Sequence, residues 1–175
     1  LTFAKNFLWN SSPVTDDIIK IDPVDGDNLE SENTLGTVAF PSPTGIAFDG
    51  TYFWIVDWQS NTLNKVLAED GSVLSTIPGP SSKPIYDADP QPADDYNARP
   101  FGITWDGAAL WVSDHSEDMI YRVNPDDGAI LASFASPATN PKDLAWDGEF
   151  LWVSDQTSGT IYKLDSGVIP TGLLG

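Results

Sequence analysis

The chain has 175 residues, 41% of them hydrophobic and 19% charged, enough for a soluble globular domain with a sizeable buried core. Its 26 acidic residues against 8 Lys plus Arg give a formal net charge of −18, a surface that repels phosphate backbones and so excludes nucleic acid as a partner. Cysteine is absent, which removes disulfides, thiolate nucleophiles and Cys zinc sites, and no apolar run reaches the roughly 20 residues of a membrane-spanning helix.

The elements are those of a repeat with four copies. The first copy, residues 1–40, opens as LTFAKNFLWNSS around Trp9. The second, 41–98, carries PTGIAFDGTYFWIVD at 43–57; the third, 99–139, carries RPFGITWDGAALWVSD at 99–114; the fourth, 140–175, carries NPKDLAWDGEFLWVSD at 140–155. Nine residues after the shared Trp stand Ile18, Leu63, Ile120 and Ile161, and eleven after it stand Lys20, Lys65, Arg122 and Lys163. Within the second copy the apolar period is two, which predicts strands at Gly45–Phe48, Tyr52–Asp57, Thr62–Leu67 and Val73–Ile77. Asp-Gly pairs separate these runs and suggest two-residue hairpins, because Gly accepts positive φ. The acidity supports the same reading: 21 Asp against 5 Glu favours turns over helices.

Each copy is thus a four-stranded antiparallel meander, and the chain an all-β propeller of about four blades, either a single domain or a segment of one. A single insertion, 78–100, stretches the second copy. The four strands of a copy are called A to D in chain order. Meander topology puts the A–B and C–D turns, among them all six Asp-Gly pairs, at one end of the disc. The B–C loops and the insertion lie at the other end, where variable segments on a rigid frame are suited to binding.

The run Pro-x-Gly-Ile-x-(Phe/Trp)-Asp-Gly, followed by (Phe/Leu)-Trp-x-x-Asp and Ile-Tyr-(Lys/Arg)-(Leu/Val), resembles the β-propeller repeats of the NHL, YncE-like and SMP-30/gluconolactonase-like group. Propellers of that group usually have six or more blades, so the resemblance implies a segment of a larger chain or assembly. It also implies, for the lactonases, a divalent metal held in part by a Glu that would fall near Thr44 or Phe101; neither is acidic. The streptogramin lyases of this repeat type need more than one histidine, and this chain has only His115.

No catalytic residue and no metal ligand are assigned. His115 alone lacks the nucleophile and orienting acid that a triad requires. Calcium suits so many Asp as a candidate cofactor, but no Asp run has the spacing of a calcium loop. Six of the seven Trp occupy repeat positions and read as core. Trp58, outside that set, is the candidate aromatic contact and makes carbohydrate a candidate ligand. The loop-face candidates are Trp58, Tyr86, Tyr96, Arg99, His115 and Asp118, and Asn10-Ser11-Ser12 is a glycosylation acceptor pattern. Asp114 and Asp155, three residues after their Trp, are expected to pair with Arg122 and Lys163. The composition fits a secreted or cell-surface protein. The functional expectation is a non-catalytic binding or assembly module that meets a protein partner, or itself, through its loops and exposed blade edges. The alternative is a metal-dependent hydrolase or lyase with part of its site outside this chain.

Overall fold

Period-two apolar patterning produces strands throughout the computed structural model, which describes residues 1–27, 42–82, 100–165 and 167. They are β1 (Thr2–Ala4), β2 (Phe7–Ser12), β3 (Asp17–Ile21), β4 (Pro43–Phe48), β5 (Tyr52–Asp57), β6 (Thr62–Leu67), β7 (Val73–Pro78), β8 (Pro100–Trp105), β9 (Leu110–Asp114), β10 (Met119–Val123), β11 (Ile130–Ala135), β12 (Pro141–Trp146), β13 (Leu151–Asp155) and β14 (Thr160–Leu164). They form four antiparallel meanders, β1-β2-β3, β4-β5-β6-β7, β8-β9-β10-β11 and β12-β13-β14. Among the described residues there is no helix, and so none long and apolar enough to cross a membrane.

The strands predicted for the second copy match β4 to β7 within two residues at either end. The turns differ from the two-residue hairpins expected. Asp49 begins a three-residue A–B link, and Asp70-Gly71 sits inside the five-residue link 68–72. The reason lies in the Asp side chain. Asp49 Oδ1 accepts the Thr51 and Tyr52 amides at 2.9 and 2.7 Å, and Asp106 and Asp147 do the same for their own turns. Asp is therefore chosen as an acceptor that caps the loop. Gly50, Gly107 and Gly148 follow at φ near 100°, which a Cβ disfavours.

Successive sheets pack face to face. The leading face of each, carrying Trp9 and Ile18, then Trp54 and Leu63, then Trp111 and Ile120, lies on the trailing face of the next. The trailing faces supply Phe53, Ile55 and Val66, then Leu110, Val112 and Val123, then Leu151, Val153 and Leu164. The innermost strands β4, β8 and β12 run side by side. They approach so closely that a Cβ on Gly45 would sit 2.5 Å from Phe101 O, and one on Gly102 would sit 2.2 Å from Lys142 O. Only glycine permits that approach. Among the described residues two faces are left without a neighbouring sheet: the leading face of the fourth sheet, with Ile161 68% exposed, and the trailing face of the first, with Phe3 60% exposed.

Candidate ligand-binding mouth at the inner rim

The inner strands start at the loop end of the disc, so the first residues of β8 and β12 stand beside the B–C loops. The B–C loops of the second, third and fourth sheets are each held by the carboxylate that closes the preceding strand. Asp57 Oδ1 accepts the Gln59 and Ser60 amides, Asp114 Oδ1 accepts Ser116 N, Ser116 Oγ and Glu117 N, and Asp155 Oδ1 accepts Ser158 N and Oγ. All three Asp are buried. The expected pairing of Asp114 with Arg122 is therefore corrected: Arg122 Nε donates to Asp106 Oδ2 at 2.8 Å. Strand register is the cause, because Arg122 lies opposite Trp111 whereas Asp114 lies opposite Met119, at the other end of the pair. Lys163 likewise stands opposite Trp152, with its ammonium 3.5 Å from the Phe150 ring centroid, rather than beside Asp155.

On this frame the residue after each inner-strand proline points to the rim. Thr44 Oγ1 reaches Pro100 O of the next sheet at 3.5 Å. The Phe101 ring meets the His115 ring edge-on, centroids 5.8 Å apart, and carries the Lys142 ammonium 4.2 Å from its centroid. Ser113, fully buried, fixes the two strands behind this group: its Oγ accepts Gly102 N at 2.9 Å and donates to Lys142 O of the fourth sheet at 2.6 Å. Beside Lys142 stands Asp143, at the position that is Gly45 and Gly102 in the preceding sheets. Its Oδ1 accepts Leu144 N at 3.0 Å and its Oδ2 lies 3.6 Å from the Leu1 amino nitrogen. An aromatic ring, an imidazole and an ammonium thus gather at one mouth, from two adjacent blades, and a carboxylate follows next in the strand that supplies the ammonium.

The opposite, Asp-Gly end is electrostatically different. Burial pushes the Asp106 carboxyl up, but hydrogen bonds from Arg122 and from the Ala109 and Ala108 amides, with the Arg122 charge, outweigh it and leave it lowered. Asp147 is lowered to about 2, first by the Phe150 amide, then by the Trp152 indole and the Glu149 amide. The Ser72 hydroxyl and amide lower Asp70. At the loop end, burial followed by the Glu117 hydrogen bond and the charges of Glu117 and Asp114 pushes the Tyr121 phenol up.

Of the loop-face candidates, His115 belongs to the mouth. Trp58 is half-buried at the start of its B–C loop, its amide bonded to Ser42 O at 3.3 Å. Asp118 takes φ 55° and ties its loop to the following connection, accepting Asn140 N on Oδ1 and Ser136 N on its carbonyl. Asn10 lies mid-strand in β2, half-buried. Tyr86, Tyr96 and Arg99 lie outside the described residues. Sequence reasoning missed Phe101, Lys142 and Asp143 as site residues. The signal was available: Pro-Lys-Asp at 141–143 breaks the Pro-x-Gly of 43–45 and 100–102. Among the described residues no three His, Asp or Glu side chains converge as metal ligands.

Four face-packed meanders around close-set inner strands, with a polar mouth at one end, define a β-propeller, or an arc of one. Comparison with solved structures agrees on the fold. The crystal structure of Myxococcus xanthus glutaminyl cyclase matches with a TM-score of 0.69 at 14% identity, over 94% of this chain and 63% of that one. Virginiamycin B lyase from Staphylococcus aureus matches with 0.57 at 19% identity, over 97% and 55%. The computationally designed Ika4 protein matches with 0.56 at 12% identity, over 93% and 87%. This chain spans 63% and 55% of the two enzymes' lengths. No family model matches it, and neither does any curated protein.

Proposed function

We propose that the chain is a non-catalytic β-propeller binding module acting outside the cell, and that it holds a small polar ligand at the loop-end mouth. The observation that carries this is the Lys142–Phe101–His115 assembly, a cation, an aromatic face and an imidazole joined across two blades in a molecule of net charge −18. Lining a rim with apolar body and a few oriented polar groups is how concave ligand sites are built. The Cys-free, Asp-rich composition supports the compartment. A thermal-shift screen of small polar compounds tests the binding. A ligand of the mouth raises the unfolding midpoint of the wild type and not that of Phe101→Ala or Lys142→Ala. Hits that ignore both substitutions overturn the reading, and a hit that is chemically converted replaces binding with the enzymatic alternative.

A second reading, assembly with other copies through the open blade flanks, is favoured by Ile161, whose counterparts Ile18, Leu63 and Ile120 are no more than 3% exposed. The trailing flank of the first sheet opposes it in part. Asn10 stands there where the other sheets bury Ile55, Val112 and Val153, and a glycan on Asn10 would block that flank altogether.

A further inference from the structure

Each of the six Asp-Gly pairs is a place where a peptide chain can rearrange itself. The glycine amide attacks the preceding side-chain carboxyl, and glycine has no Cβ to hinder the attack. The fold blocks this reaction in two different ways. In the C–D links the nucleophile is engaged: the Gly26, Gly71 and Gly128 amides donate to Asp22 O, Leu67 O and Asn124 O, each at 2.9 Å. In the A–B links no acceptor among the described residues is bonded to the Gly50, Gly107 or Gly148 amide, and the carboxylate is engaged instead. Its Oδ1 takes the two amides that follow the glycine. Its Oδ2 takes the indole N–H of the Trp five residues on, at 2.9 Å in Asp49, 2.9 Å in Asp106 and 2.8 Å in Asp147.

The three indoles are not equally fixed. Trp54 and Trp111 are fully buried, packed against the sheet that follows, and Arg122 adds a second hold on Asp106 Oδ2. Trp152 is half-buried on the leading face of the fourth sheet, which no described sheet covers, and its bond to Asp147 is exposed to water. Hydrogen bonds so exposed are the first to open in a native protein. Gly148 stands at φ 102° with nothing within 4 Å of the place a Cβ would take, so a ring has room to form.

We propose that Asp147-Gly148 is a modification site, at which the folded chain converts an α-linked to a β-linked aspartate when the Trp152 indole leaves Asp147. The Gly148 nitrogen bonds to Asp147 Cγ, and the Cγ–OH bond of the protonated carboxyl breaks. That hydroxyl takes the amide proton and leaves as water. Water then adds to the α-carbonyl of the succinimide, giving its hydroxyl to the carbon and a proton to the nitrogen as the original Asp147 C–Gly148 N bond breaks. Composition is unchanged, but the main chain between β12 and β13 is one methylene longer, and the Glu149 and Phe150 amides lose the side-chain acceptor that capped them. The Phe150 amide, the Trp152 indole and the Glu149 amide hold the carboxyl down at about 2, in the ionised form that does not lose its oxygen, so ring closure waits on the indole.

The full chain is incubated folded in dilute buffer and, in parallel, unfolded in guanidinium chloride. Aspartate linkage at all six pairs is followed by peptide mapping with electron-transfer fragmentation. Unfolded, the six pairs convert at similar rates, because each has glycine next. Folded, conversion is expected at Asp147 ahead of the other five. Trp152→Phe keeps a ring and removes the N–H, and should speed conversion at Asp147 alone by about two- to tenfold, the worth of one hydrogen bond. Folded conversion led by any other pair, or none at Asp147 while the unfolded chain converts, overturns the assignment. An unchanged rate at Asp147 in a folded Trp152→Phe chain overturns the indole as its gate. A variant that unfolds raises all six pairs together, and the order in the wild type, which needs no substitution, then decides.

Discussion

A single carboxylate, Asp106, does three jobs at its tight turn, and the second and third jobs are invisible in the sequence. Asp106 caps two amides with Oδ1, while Oδ2 accepts the Trp111 indole at 2.9 Å and Arg122 at 2.8 Å. The Asp-Gly pair announces the turn. The indole five residues on, and the Arg brought alongside by strand register, come only from the assembled sheet, which is why the sequence pairs Arg122 with the wrong Asp. Asp106→Ala strands a nearly buried guanidinium and an indole N–H, and should lower stability by about 2–3 kcal/mol in urea unfolding. Asp147 makes the same amide and indole bonds near the surface, without the bonded cation, and yields a pH test. Its folded value of about 2 is below the usual 3.8, so its contribution is complete above about pH 4 and is lost as pH falls towards 2. The thermal midpoint of the wild type should therefore exceed that of Asp147→Asn at pH 5 to 7, and the two should converge near pH 2.

Between elements, the decisive contacts are backbone to backbone. Gly102→Ala forces a methyl against Lys142 O and Asp143 Cα, neither of which is the end of a flexible chain, and should cost about 3 kcal/mol. Ser113→Ala leaves the Gly102 amide and the Lys142 carbonyl short of a partner, at about 1–3 kcal/mol, whereas Ser154→Ala should cost less, because Ser154 Oγ bonds only within its own sheet, to Asp143 of β12. Urea titrations of the two variants make the comparison directly. Strand positions were legible because period two and the repeated Trp agree at every copy. Sheet-to-sheet approach was not, because a glycine at the start of a strand, as at Gly45, shows its purpose only once the neighbouring carbonyl is in place.

For the molecule as a whole, the architecture was legible and the site was not. Four copies in step demand stacked meanders, and the stacking fixes which end carries variable loops. The mouth, in contrast, is made of residues that the repeat treats as fillers: the x of Pro-x-Gly and the one position where Gly is lost. Whole-molecule charge gives a further prediction. With −18 spread over one small molecule, self-repulsion opposes folding, so moving from low salt to about 0.15 M, where the screening length is about 8 Å, should raise the thermal midpoint. Light scattering at both salt concentrations tests assembly at the same time. If the open flanks of Ile161 and Phe3 pair, the mass should rise above 18.9 kDa as repulsion is screened.

The glycine at the inner rim also sets the rules of shuffling. The second and third sheets present the same leading and trailing faces and the same glycine, so as building units they are interchangeable, and a gene with their order exchanged encodes junctions of the same kind. The fourth is not exchangeable with them. Moved inward, its Asp143 would set a Cβ against the carbonyl of whatever strand came next. A lineage that duplicated or transposed these units would have to keep this one out of junctions as close as those at Gly45 and Gly102, or give up its charge at the rim.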